Sequence, residues 1–343
     1  MREAMTAMTP HHWFCTLFDR NYLFKGVALY RSLEQWSREF TLVILCMDDV
    51  AYDTLAKLAL PHARLVRLQE FEDPELLRAK ATRSMIEYYW TCTPSLPLFV
   101  LDRIPEAQSV TYLDADLFFY GNPQTLLAEM ATASIMIHEH RFPPRLAEQA
   151  QYTGIYNVAW VTFRRDDNGL ACASRWREQC IEWCYYRHED GRMGDQKYLD
   201  TWTRDFAGVH VLRHKGGGLA PWNVEQYRIE RRGDGAVYVD DDPLIFYHFH
   251  GLRLFVNGTV FMTNSSYPLR EEDRRLLYAP YIEALWRVRD DVQRVVPEFT
   301  HGLEQPEAKS AKEELLASRA PRARGIARLR RPLGRIKRWL VGG

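Results

Sequence analysis

Apolar residues change their spacing in a regular way along the first third of the chain. Trp13-Phe-Cys-Thr-Leu-Phe18 is a short, nearly unbroken apolar run, which predicts a strand. From Asn21 to Trp36 the apolar residues Leu23, Val27, Tyr30 and Leu33 recur at near-helical spacing, and a polar break follows. Phe40-Thr-Leu-Val-Ile-Leu-Cys46 is apolar almost throughout, as a parallel strand covered on both faces requires. A short helix over Tyr52–Leu60, a strand over Arg64–Leu68, a helix running through Glu87 and a fourth strand over Ser109–Leu113 extend the alternation. Strands alternating with helices predict an α/β sheet wound with right-handed crossovers. No internal repeat or low-complexity linker interrupts it, so the expectation is one domain over residues 1–302 and an appendage over 303–343.

Four further patches follow. Ile155–Phe163 reads as a strand with Asn157 near its start. Met193-Gly-Asp195-Gln196 is a glycine turn leading into a helix, with an acid favourably placed in the first turn. Gly216-Gly-Gly-Leu-Ala-Pro221-Trp222-Asn223 is a flexible loop that ends in a stiff aromatic–amide pair. In Leu244–Gly251, strand alternation puts Phe246, His248 and His250 on one face.

A chain that is 46% hydrophobic and 26% charged is an ordinary globular protein. Its first ten residues lack a signal-peptide core, and no window approaches the roughly 18 apolar residues of a membrane span. The six cysteines include no CxxC pair and no His partners for a zinc set, so they read as reduced core thiols in a cytoplasmic compartment. Charge is distributed unevenly. Residues 315–343 hold nine basic and no acidic side chains, leaving 36 basic against 45 acidic in the rest, a net −9. Arginines there alternate with Ile336, Trp339 and Leu340, a pattern suited to peripheral contact with an anionic membrane. A solvated tail, or one holding nucleic acid without specificity, has the same composition.

The candidate chemistry centres on Val110-Thr-Tyr-Leu-Asp114-Ala115-Asp116-Leu-Phe-Phe119. Two carboxylates one residue apart, where a strand leaves the core, need cationic compensation. They suit Mg²⁺ or Mn²⁺ bridged to a diphosphate, although an acidic turn would look the same. With the patches around it, this segment resembles the retaining GT-A glycosyltransferases of family 8 over roughly residues 13–255. Phe18-Asp19-Arg-Asn21-Tyr22 looks like the first-strand exit that holds the nucleoside, and Arg83 like the arginine over the donor. Asp114 and Asp116 match Asp-x-Asp, and Asn157 and the Asp195-Gln196 pair match positions lining the sugar pocket. His248-Phe-His-Gly251 fits His-x-x-Gly, whose histidine completes the metal site; the spacing to Gly251 favours His248 over His250.

The resemblance implies a Rossmann-like mixed sheet flanked by helices, and Mn²⁺ or Mg²⁺ on Asp114, Asp116 and His248. It also implies a nucleotide-sugar donor, UDP-glucose or UDP-galactose first, and a glycan or glycolipid acceptor. Asp195 and Gln196 would stabilise the sugar in flight, and Trp222 and Asn223 would line the acceptor side. The sequence departs from the family after Gly251, where Leu-Arg253-Leu-Phe255 lacks the usual lysine; Arg253 is the available substitute. Each residue also has a plainer reading. Asn21 or Asp195 can cap a helix, Arg83 can pair with Glu87, Asn157 can satisfy a strand end, and Trp222 can be core. A nucleotide-sugar-binding protein without turnover is a rival function. A haloacid dehalogenase-type phosphatase fits less well, because Leu117-Phe118-Phe119 follows the acids about a hundred residues into the chain.

Overall fold

Seven strands form the central sheet of the computed structural model, which describes residues 11–306. They are β1 (His12–Phe18), β2 (Phe40–Cys46), β3 (Ala63–Arg67), β4 (Ser109–Leu113), β6 (Ile135–Glu139), β7 (Tyr156–Arg164) and β8 (Val209–Val211), in the order β3-β2-β1-β4-β7-β6-β8. β3, β2, β1 and β4 run parallel; β7 is antiparallel to both of its neighbours, β4 and β6. Alternate residues feed opposite cores, with Phe14, Phe18, Leu42 and Ile44 on one face and Cys15, Leu17, Val43 and Leu45 on the other. That double coverage explains why β1 and β2 are apolar almost without interruption. All six cysteines are buried free thiols, although Cys184 lies beyond the end of the helix Asp167–Glu182 rather than on it.

The segment expected as a single helix through Glu87 is three: Leu68–Phe71, Pro74–Lys80 and Met85–Cys92. Two start signals divide it. The Asp73 carboxylate accepts from the N–H groups of Glu75 and Leu76 at 3.0 and 2.9 Å ahead of Pro74, and Ser84 forms a capping box with Glu87.

Two connections build the functional end. Chain order reverses between β1 and β4, which opens a crevice at their carboxyl ends, where open α/β sheets bind ligands. Directly after β4 comes β5 (Leu117–Phe119). A small sheet of β9 (Ile229–Arg231), β10 (Val237–Val239) and β11 (Asp242–Pro243) then leads into β12 (Phe246–His248), which pairs antiparallel with β5, His248 opposite Leu117. The hairpin of β13 (Arg253–Leu254) and β14 (Val260–Phe261) follows. The basic tail over 315–343 lies outside the described residues. Among the described residues no helix is long and apolar enough to cross a membrane.

Candidate metal and donor site

β4 ends at Leu113, and the acids follow in a tight turn. The Asp114 N–H donates to Ala159 O on β7 at 3.1 Å, and the Leu117 N–H donates back to Asp114 O at 3.2 Å. Beside it, the β12 backbone is clamped on both sides. His248 N–H donates to Leu219 O at 2.8 Å and Phe249 N–H to Asp116 O at 2.9 Å. This fixes the imidazole against the turn: His248 Nε2 stands 3.1 Å from Asp116 Oδ1 and 3.8 Å from Asp114 Oδ2. Asp116, His248 and His250 each present one ligand atom, all within 4.8 Å of one another. One carboxylate and two imidazoles suit a divalent transition metal. Asp114, expected as a ligand, stands just outside that trio, with its Oδ2 3.8 Å from His248 Nε2.

The electrostatics match. Burial alone would raise the Asp116 carboxyl, but the charge and hydrogen bond of His248 hold it well below the usual range. Burial alone would lower His248; the Asp116 carboxylate reverses that, and the imidazole is raised. Asp114 goes the other way, pushed up to about 6 by burial, against the pull of His248 and with the Asp116 charge adding to it. A hydrogen bond from Tyr112 Oη at 3.1 Å fixes the Asp114 carboxylate. Asp116 and His248 are therefore held together as an ion pair, while burial and the neighbouring His248 charge lower His250 to about 4.

On the β1 side, Asp19 is buried and organises the turn. Its carboxylate accepts from Asn21 N at 2.9 Å, Asn21 Nδ2 at 3.1 Å, Tyr22 N at 3.2 Å and Tyr89 Oη at 3.2 Å. Asn21 therefore does not cap the helix Leu23–Trp36; its amide is spent on Asp19, and the helix starts without a side-chain cap. Tyr22 is 42% exposed, with the Lys25 ammonium resting over one face of its ring. Phe18 turns inward: a Cβ on Gly26 would lie 2.2 Å from its ring, so that ring fills the sheet–helix interface and is closed to a nucleoside.

Asp195 stands before the 3-10 helix Gln196–Thr201, but its side chain does not cap it. The residue is buried, its Oδ2 has no partner, and burial followed by the Asp114 charge pushes the carboxyl up to about 7. Next to it runs a short amide relay. Asn157 Oδ1 accepts from Ala159 N at 3.0 Å, which leaves Nδ2 to donate to His140 Nε2 at 3.1 Å and to Gln196 Oε1 at 3.3 Å. His140 Nε2 must then be the unprotonated nitrogen, with Nδ1–H donating to Ile155 O at 3.3 Å. Trp222 donates from Nε1 to His140 O at 2.9 Å and sets its ring edge-on to His248 and His250, at 5.3 and 5.8 Å.

Three expected contacts go elsewhere. Asn223 is completely buried, and its amide ties the loop together, donating to His140 O and Gly218 O at 2.8 and 2.9 Å and accepting from Ala220 N at 2.9 Å. It has nothing left to offer an acceptor. The Arg83 guanidinium binds Ile181 O and Glu182 O at 3.2 and 3.3 Å and stacks on Tyr185, closing the end of the helix Asp167–Glu182. Glu87 is occupied by Ser84 and by Tyr186 N at 2.8 Å, so the plainer Arg83–Glu87 pairing is not made either. Arg253 pairs with Glu304 at 3.2 Å over the Phe261 ring. Ala115 is buried between the acids, and Gly251, at φ +77° with open space around it, makes the turn that follows His250.

Sequence reasoning missed Tyr89 and His140, whose roles arise from contacts between distant segments, and Tyr112, two residues before Asp114. It also missed Lys25, whose charge bears on Asp116, His248 and His250. Helical phase was the available signal for Lys25, since it lies one turn after the Asn21-Tyr22 exit.

No protein-family model matches the chain. Two Bacillus subtilis (strain 168) proteins resemble it along most of their length: uncharacterized protein YfnD, 36% identical over 300 residues, and uncharacterized protein YfnF, 32% identical over 292. They cover 86% and 83% of this chain, and the matches span 95% of each relative. Among solved structures, the apo-form glycosyltransferase GlyE of Streptococcus pneumoniae TIGR4 has a TM-score of 0.50 at 12% identity, over 84% of this chain and 64% of its own. The galactosyltransferase LgtC, in complex with donor and acceptor sugar analogs, has a TM-score of 0.47 at 13% identity, over 88% of this chain and 99% of its own. The mixed sheet flanked by helices is the GT-A glycosyltransferase fold.

Proposed function

We propose that this chain, which belongs to the family of the Bacillus subtilis proteins YfnD and YfnF, is a metal-dependent glycosyltransferase of the retaining family 8 type. It moves a hexose from a nucleoside diphosphate sugar, UDP-glucose or UDP-galactose first, to a hydroxyl of a glycan or glycolipid. One observation carries this reading: an imidazole from β12 lies 3.1 Å from one of two acids at the switch point of the sheet, with a second imidazole in the same trio. Asp116, His248 and His250, with Asp114 beside them, would hold a divalent cation, which would supply positive charge to the departing diphosphate. Once His248 gives up its proton, two neutral imidazoles would favour Mn²⁺ over Mg²⁺.

The chain's own groups do the rest. Asp19 holds the β1 exit in shape, and the Tyr22 ring offers the nucleoside a face to stack on. Asp195 lies next to Asp114 with one carboxylate oxygen unspent, and in this reading it faces the oxocarbenium-like sugar. Gln196 accepts from Asn157 through its carbonyl oxygen, which leaves its N–H groups available to orient a sugar hydroxyl. The departing phosphate takes the proton of the acceptor hydroxyl on the same face, which retains configuration without a base opposite. The basic stretch over 315–343 holds the enzyme at an anionic membrane, where a lipid-linked acceptor would be found.

The test is release of UDP from UDP-glucose and UDP-galactose. With Mn²⁺ present, UDP accumulates, and a chelator stops it. Binding of UDP-sugars with no release, under conditions that include glycan acceptors, would instead mark a non-catalytic binding protein.

A further inference from the structure

The segment after Gly251 lacks a lysine, and the next cation, Arg253, is engaged with Glu304 and the Phe261 ring. A metal held by acids leaves much of a diphosphate's charge uncompensated, because the acids already offset the cation. A second positive group is needed close by. Lys25 meets that need from another part of the fold. It sits in the first turn of the helix Leu23–Trp36, half-buried, in the helix that packs along β5 and so beside the acids. Its Nζ hovers 4.0 Å from the centre of the Tyr22 ring, and none of the ion pairs among the described residues uses it. Its positive field reaches Asp116, His248 and His250 together. An ammonium on a flexible stem, parked on an aromatic face, can reach a phosphate oxygen at little cost.

We propose that Lys25 is the cation that grips the donor's diphosphate, in place of the lysine missing after Gly251. The proposal rests on the nucleotide-sugar reading above. In that arrangement Tyr22 and Lys25, three residues apart on one face, hold the nucleoside and the phosphates respectively.

The experiment compares wild type, Lys25→Met and Lys25→Arg for binding of UDP and of uridine with Mn²⁺, by calorimetry and NMR titration. Circular dichroism melting confirms that each variant is folded. Lys25→Met weakens UDP binding by about ten- to a hundredfold while leaving uridine unchanged, and Lys25→Arg stays within about threefold of wild type. UDP affinity of Lys25→Met within about twofold of wild type overturns the proposal. So does an equal loss for UDP and uridine, since the residue would then act only through the Tyr22 platform. If wild type itself binds neither UDP, GDP nor dTDP, the nucleotide-sugar reading fails and Lys25 with it.

Discussion

At Asp195, burial without a full set of donors decides the protonation state. A carboxyl pushed up to about 7 in the folded protein, against 3.8 ordinarily, keeps its proton where the unfolded chain has lost it. The native state therefore binds more protons between about pH 4 and pH 7, and this group's contribution to stability falls as pH rises through that window. Asp195→Asn removes the penalty. The variant should be more stable than wild type at pH 8 by about 1 kcal/mol or more, a margin that shrinks toward pH 4. Denaturant unfolding at both pH values reads it; an unchanged margin would show that Asp195 is not held protonated. Asp116 is the opposite case, a carboxylate kept charged by His248. Asp116→Asn should cut UDP release by at least about a hundredfold with the fold intact, and near-normal turnover would remove it from the site.

At the level of elements, the strands β1, β2 and β4 were legible because their apolar runs are long and their exits polar. So were the acids after β4 and the shared face of His248 and His250. The β12 strand itself is short, Phe246–His248, but alternation persists into the turn, and the two imidazole rings lie 5.7 Å apart. What could not be read were partnerships fixed by loops. Asn223 looked like a pocket residue and is instead the tie of its own loop. Gly218 has a similar office: it sits at φ +81°, and a Cβ there would lie 2.6 Å from both Arg141 Nη2 and His138 Nδ1. Nothing in a triple glycine says which member carries that burden. Gly218→Ala should destabilise by about 1–3 kcal/mol in urea unfolding, from backbone strain and overlap together, and should disturb β12, whose His248 N–H bonds to the adjacent Leu219 O. A neutral result would mean that the loop relaxes without moving β12.

Across the whole molecule, the formal charge of zero divides into a net −9 before residue 315 and +9 after it. Removing residues 315–343 should spare UDP release and weaken binding to vesicles containing phosphatidylserine or phosphatidylglycerol, most clearly at low salt. Unchanged vesicle binding would dispose of a membrane role for that stretch.

The pairing of β5 with β12 has one more consequence, in time rather than space. The acids at 114 and 116 emerge from the ribosome long before His248 and His250, which sit on the far side of more than a hundred intervening residues. Until that later segment docks, the nascent chain displays two bare carboxylates and no means of holding a cation tightly. On the proposed reading, the cation site exists only once the fold is complete, and a cation that binds only the completed site would pull the last steps of folding forward by mass action.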